Sequence, residues 1–319
     1  MHDRDMPVID QVLTRSRRAR QPETLTDLMT MVGLTSGVAN IVMQLSLPAV
    51  GHGVHESRVA SGSPRRRPFK RLRTTTQHLV VSVVGNEADR AAFREEMRAV
   101  HAHVHSTESS PVGYSGNARD LQLWVAACLY RFYIDQYEFL YGPLERATLD
   151  VLTPAAAPLA TGVNVPESAW PKDWQEFEDY WNAMLPSLSI APEVRDDLKS
   201  LSDFMFLGEA LGPPGWVLAK VFGPINHFLT RGNLPPQFRD LLGWEWSAAE
   251  QLWFDRLLRL LRVADVVNPD AIRIYARVLL LDLRLRLRVR GSILGAQKVL
   301  DAPLAEEGRT PAERRRNRR

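Results

Sequence analysis

Residues 68–105 read PFKRLRTTTQHLVVSVVGNEADRAAFREEMRAVHAHVH, and the punctuation of this stretch predicts two helices back to back. Pro68 suits a first helical turn, where its missing N–H leaves nothing unpaired, and Gly85 suits the stop, so a helix is expected from Pro68 to Val84. Asn86 then caps a second, expected from Glu87 to about His105, with Glu87 and Asp89 in the first turn where the helix dipole favours acids. Two helices joined at Gly85 and Asn86 should lie side by side.

Outward from this hairpin the helical spacing continues. Upstream, Leu28, Met31, Val32, Ile41, Val42 and Leu45 give a helix from about Thr26 to Ser46. No charge falls between Asp27 and Glu56, which raises the question of a membrane span, but Thr30, Thr35, Ser36, Asn40, Gln44 and two glycines interrupt the run and favour a helix packed in protein. Downstream, an aromatic-rich helix is expected from Asn117 to Tyr141, ended by Gly142 and Pro143. The Pro/Ala stretch Thr153 to Pro171 reads as a long ordered loop. Further helices follow over Asp173–Met184, Pro192–Phe206, Pro214–Leu229, Pro236–Leu242, Ser247–Ala264 and Pro269–Arg290. Leu283 to Arg290 alternates apolar residues with arginine and would also fit a strand; helix is the reading kept. No short repeat and no run of hairpin-linked period-2 strands is found. The expected fold is all-α, one large helical domain over residues 23–292, flanked by basic tails at 1–22 and 293–319.

The 319 residues are 45% hydrophobic and 24% charged, an ordinary globular composition with chain enough to enclose a ligand-sized core. The net charge is only +3, and the pI near 9.1 comes from arginine runs near the N-terminus, around Arg65 to Arg73 and at the C-terminal end. That distribution argues against a nucleic-acid-binding face. A single cysteine, Cys128, excludes an internal disulfide, a four-cysteine zinc site and covalent c-type haem attachment. Polar residues follow Arg15, Arg17, Arg18 and Arg20 where a secretory signal needs an apolar run, so the chain reads as cytoplasmic.

Histidine carries the functional signal. Six of the eight histidines fall between His52 and His105, and of His101, His103 and His105 the first and last share a helix face at i, i+4, with His103 pointing elsewhere. A helical histidine is the usual nitrogen ligand of haem iron, whereas partly exposed histidines on an amphipathic helix are the bland alternative. A non-haem metal on His101 and His105 lacks the Glu-x-x-His or His-Glu-x-x-His carboxylates such sites use. A second constellation, Lys70, Arg71, Arg73 and Thr74, opens the preceding helix; it reads equally as a donor set for haem propionates or dioxygen and as a solvated basic helix start. The aromatic helix with Trp170, Trp174 and Trp181 reads as core ahead of a substrate channel.

The stretch from Leu47 through Leu144 resembles the catalytic region shared by latex-clearing-protein rubber oxygenases and the endoplasmic-reticulum oxygenase MpaB. The likeness rests on Pro48-Ala49-Val50 to Val54-His55-Glu56-Ser57, Lys70-Arg71-Leu72-Arg73-Thr74, Val100-His101-Ala102-His103-Val104, Tyr114 and Leu121-Gln122-Leu123-Trp124-Val125. It continues through Gly142-Pro143-Leu144, Phe177 to Met184 and Leu234-Pro235-Pro236 to Gly243. The resemblance implies a helical fold around non-covalent haem b with His101 as proximal iron ligand. The rubber oxygenases' distal Arg-x-x-Lys-Thr pattern would fall on Lys70, Arg73 and Thr74 with its basic positions exchanged. An arginine stays protonated and cannot ligate iron, so an open or water-bound sixth position is expected. Leu47-Pro48 stands where the family often has His-Pro, and Trp124-Val125-Ala126 where Trp-Val-His is common.

By this resemblance Glu56 is the carboxylate placed to act as base near the haem; its alternative is a helix cap or a partner of Arg58 or of the Arg65 to Arg67 run. The implied activity is a haem-b oxygenase acting with dioxygen on a small lipophilic alkene, by cleavage of the double bond or a related oxidation. The alternative is a non-catalytic helical protein that binds haem or lipid, at a membrane surface through the Arg284 to Arg290 helix.

Overall fold

A single capping box organises the helices around which the rest is built. In the computed structural model, which describes residues 21–301 apart from 64, 65, 269 and 296, the Asn86 side chain accepts the Asp89 N–H at 2.9 Å and the Asp89 carboxylate accepts the Asn86 N–H at 3.0 Å. This satisfies orphan donors at the start of a helix and stops the chain from continuing the one before. The helices it separates run Pro68–Val84 and Glu87–His101. Upstream of them lie α1 (Gly37–Leu45) and α2 (Pro48–His55), so the pair is α3 and α4.

The long α5 (Arg119–Tyr141) runs through the middle, with buried residues on all sides from Gln122 to Leu140. It packs against α1, against the short α7 (Pro158–Thr161) that follows α6 (Arg146–Ala155), and against α13 (Ala248–Val267). Its aromatic residues meet those of α8 (Trp174–Met184): Trp124 stacks on Trp181 at 5.1 Å, and Tyr130 meets Phe177 edge-on at 5.0 Å. Trp170 and Trp174 join the same cluster, so these rings are core. Trp124 donates its indole N–H to the Gln44 carbonyl and Trp170 to that of Thr153, which lets large amphipathic rings be buried without loss.

The remaining helices are α9 (Pro192–Ser202), α10 (Met205–Leu211), α11 (Pro213–Asn233), α12 (Pro236–Leu242) and α14 (Ala271–Arg290). The stretch with alternating arginines is helical throughout, and α14 lies along α3. Among the described residues there is no strand ladder, only isolated bridges at Val59–Val299 and His105–Ser115. The fold is all-α.

Departures from the expected elements have local causes. The segment expected as one helix from Thr26 to Ser46 is two 3₁₀ turns, Leu25–Leu28 and Met31–Leu34, before α1. The hydroxyls of Thr35 and Ser36 bond back to the Val32 carbonyl and end the second turn. The expected loop from Thr153 to Pro171 contains the end of α6 and all of α7, because Pro158 sits at a helix start where proline is welcome. One helix over Pro192–Phe206 is two, broken at Phe204 with φ 60. Residues 1–20 and 302–319 of the expected tails lie outside the described residues. Within 293–301, Ile293 and Leu294 are buried and donate backbone N–H groups to Glu96, so the packed body extends past residue 292.

Asp89 also receives a bidentate pair from Arg284 of α14, at 3.1 and 2.8 Å. The Arg284 hydrogen bond holds its carboxyl below the ordinary value of 3.8. A depressed carboxylate stabilises fully above its unfolded pKa, and that contribution is lost as pH falls through the folded value. Asp89→Asn is therefore expected to lower stability by roughly 2 kcal/mol near pH 6. Urea denaturation repeated at decreasing pH should show the gap to the wild type closing once pH drops below about 4.

Candidate functional site

The two faces of α3 look in opposite directions, and this decides which of its cations reach His101. At about 100° per residue, Arg71, Thr74, Thr75, His78 and Ser82 share one face, while Arg73, Gln77 and Val80 share the other. On the second face Gln77 donates to Asp282 of α14 at 2.8 Å. There Arg73 feels Asp282, Arg286 and Arg290, and with desolvation foremost its pKa is lowered. Lys70 is likewise lowered, by desolvation and by Arg73 and Arg67. On the first face the Arg71 charge reaches His101: that ring is pushed down to about 4, chiefly by burial and then by Arg71 and His78. Of the distal set expected at Lys70, Arg73 and Thr74, Arg73 is turned towards α14, while Lys70 and Thr74, at i and i+4, are neighbours at the edge of the first face. The sequence reading has Arg71 in its basic donor set but not among the distal residues.

Arg71 is exposed, and desolvation by the surrounding protein nevertheless lowers its pKa. His101, at the last turn of α4, and His78 are partly open. His78 stacks on Phe93 of α4 at 5.5 Å, its Nδ1 has no partner, and burial lowers it to about 4. Both imidazoles are therefore neutral near pH 7, the form in which histidine ligates metal.

His101 is held from behind. Gln122 on α5 donates to the Gly116 carbonyl at 2.8 Å, accepts the Asn164 N–H at 2.9 Å, and places its amide nitrogen 3.3 Å from His101 Nδ1. The two backbone contacts settle which end of the amide is nitrogen. Nδ1 is then the accepting nitrogen and Nε2 carries the ring proton; a metal at Nε2 would require that proton to move to Nδ1. Gly116 has to be small: a Cβ there would come within 2.8 Å of the His101 carbonyl and 3.2 Å of its Cβ. Neither Gln122 nor Gly116 was singled out as a site residue from sequence, although Gln122 sits in the Leu121-Gln122-Leu123-Trp124 motif and a helical glutamine among apolar residues is a signal.

The helix expected to reach His105 ends at His101. Beyond it the chain leaves and returns as a loop whose arms meet at the His105–Ser115 bridge, with Gly116 N–H bonded to the Val104 carbonyl. His105 thus shares no helix face with His101; its Nε2 faces Arg58 at 3.1 Å. His103 is exposed. Among the described residues no three His, Cys, Asp or Glu side chains group as metal ligands, which disfavours a non-haem site on this pair.

Glu56, at the end of α2, accepts from Tyr114 at 2.7 Å and from Ser110 at 2.5 Å, with His52 Nδ1 3.5 Å away. Both donors belong to the loop that follows His101, so Glu56 fastens that loop to α2. Next to it, His55 bonds Asp197 at 2.7 Å; burial works against its charge, but Asp197, Glu193 and Glu56 together raise its pKa. A separate small cavity is lined by Asn40, Phe132, Asp135, Gln136 and Asn233. Burial raises Asp135 there to about 6 although Arg131 pairs with it.

These features were compared with known proteins. The family model described as "ER-bound oxygenase mpaB/B'/Rubber oxygenase, catalytic domain" matches residues 27–263. An uncharacterised protein of Mycobacterium tuberculosis and one of Mycobacterium bovis are each 46% identical over 251 residues, covering 78% of this chain and 96% of the relative. No solved structure matches at a significant level. The chain is an oxygenase-family oxidoreductase domain. It belongs to the mpaB/rubber oxygenase catalytic-domain family. Among its described residues no helix is long and apolar enough to cross a membrane.

The residues present fit a haem. Arg71 is a desolvated guanidinium with no acid paired to it among the described residues, beside a neutral imidazole whose far nitrogen is fastened. A group that combines a metal with carboxylates answers both needs. The neutral state of His101 is directly measurable: imidazole resonances followed by NMR from pH 7 downward should show His101 and His78 titrating near 4. Midpoints at or above about 6 would remove the desolvated pocket.

Proposed function

We propose that this protein is a haem-b-dependent oxygenase that uses dioxygen to oxidise a small lipophilic alkene, with His101 as the iron ligand and cleavage of the double bond or a related oxidation as outcome. The observation that supports this most is a neutral His101 held by Gln122 on α5, with the cation Arg71, unpaired with any acid among the described residues, acting on it from α3. Haem, when bound, supplies the redox chemistry and the affinity for dioxygen.

The chain's own groups do the rest. His101 offers Nε2 to the metal, while Gln122 and Gly116 fix the ring's position. Arg71 offers a permanent positive charge and several N–H donors, which would stabilise negative charge on a haem carboxylate or on oxygen. Thr74 adds a hydroxyl on the same face; its own hydrogen is given to the Arg71 carbonyl at 3.1 Å, which leaves its oxygen as an acceptor. Arg71 would act as a donor and not as a metal ligand, because a guanidinium stays protonated. Arg73 faces Asp282, Arg286 and Arg290 of α14, and Glu56 serves the loop.

Protein purified from haem-supplemented cells should show a Soret band that His101→Ala abolishes. Arg71→Leu is expected to keep the band and to slow oxygen consumption with an alkene by roughly 100-fold or more, whereas Arg73→Leu should stay within about twofold because its partners are on α14. A colourless wild type with no haem affinity ends this reading.

Ligation through Nε2 leaves the ring proton on Nδ1, where Gln122 presents N–H rather than an acceptor. Gln122→Glu supplies the acceptor, and second-shell changes of this kind shift metal affinity by about 10- to 100-fold. The variant is expected to retain haem more tightly and to bind it at a more negative reduction potential, measured by transfer to apomyoglobin and by spectroelectrochemical titration.

A further inference from the structure

One side of α14 is fully committed. Ile272, Ala276, Leu280 and Leu283 are buried, Arg273 pairs with Asp27, Arg284 with Asp89, and Asp282 with both Arg286 and Gln77. The other side carries Ile274, Tyr275, Val278, Leu281, Leu285 and Val289, each between 42% and 72% exposed. At 100° per residue they fill a sector of about 120°, the width a globular helix ordinarily turns towards a core. Here nothing among the described residues covers it.

The charges around this sector identify what does. Between Ala271 and Arg290 the exposed charged residues are Arg277, Arg288 and Arg290, and no acid is exposed with them. Arg277 and Arg288 lie along one edge of the aliphatic sector. A second copy of the helix would bring like charges together along the seam, which is destabilising. An anionic bilayer answers both halves of the surface: aliphatic side chains enter the top of the acyl layer, and the arginines, with long apolar stems and polar heads, remain among the phosphates. Tyrosine is at home at that depth. The sequence also carries the polybasic run Arg314-Arg315-Arg316-Asn317-Arg318-Arg319, of the sort that is attracted to an anionic leaflet.

We propose that α14 is an in-plane membrane-binding helix that seats the protein on anionic lipid. Because α14 lies along α3, the helix that carries Arg71, the proposed pocket is then one helix layer from the bilayer. That clause alone rests on the oxygenase reading; the lipid contact does not.

Full-length protein, with and without haem, is floated with vesicles of phosphatidylcholine containing about 30% phosphatidylglycerol, and with pure phosphatidylcholine, at about 0.1 M salt. It should rise with the anionic vesicles, irrespective of haem, and stay down with the neutral ones. The double variants Leu281→Glu/Leu285→Glu and Arg277→Glu/Arg288→Glu should each cut the bound fraction by at least about tenfold. Their melting temperatures should stay near the wild type, since these side chains are exposed. The proposal is overturned if the wild type does not float, if neutral vesicles bind it equally, or if neither variant weakens binding. It is equally overturned if the wild type sediments as a dimer that Leu281→Glu/Leu285→Glu dissociates, which would make the stripe an interface between copies.

Discussion

The Gln122 amide is the point at which the pocket is closed from behind. One side chain on the central helix holds the loop at Gly116, the backbone at Asn164 after α7, and the rear nitrogen of His101. A buried primary amide has two donors and an acceptor in fixed relation, so aligning it to two backbone groups leaves only one direction for its remaining hydrogen. That direction sets where the last turn of α4 must stop and which nitrogen of His101 is left forward. The packing of α5 against α1, α7 and α13 serves this end: a long, two-sided core helix cannot rotate without exposing Trp124 or Tyr130, and so it presents Gln122 rigidly.

The α3–α4 pair supplies the opposite wall through a different logic. Asp89 caps α4, and the same carboxylate is clasped by Arg284 from α14. Turn geometry between the two pocket helices is thereby tied to the helix that covers their outer side. α3 is left with two cationic faces of unlike character. Towards α14, Gln77 bonds Asp282 and Arg73 sits among Asp282, Arg286 and Arg290 with its pKa lowered; towards His101, Arg71 meets no acid among the described residues.

The α3 hairpin was legible because its signals are local. Pro68, Gly85 and Asn86 act on their own backbone, and both helix boundaries up to Glu87 fall where those residues put them. The rotation of α3 was not legible, since cations at Lys70, Arg71 and Arg73 point around most of the helix and nothing local says which of them meets another helix. Only the position of Asp282, more than 200 residues away in the chain, tells them apart. The end of α4 at His101 escaped for the same reason: Ala102 to His105 would continue a helix on propensity, but the returning strand of loop at Ser115 and Gly116 takes their backbone groups. The first segment failed on hydroxyls that bond back locally, a competition that a count of apolar positions overlooks.

Arg71 and His101 differ in how they are held. Arg71 keeps exposed surface, so solvent screens part of its charge, yet desolvation lowers its pKa and no acid among the described residues offsets it. His101 is neutral and positioned by Gln122. In the proposed reading the two serve one ligand, because an anion bound by the folded state and not by the unfolded chain would stabilise α3 and α4 in proportion to its occupancy.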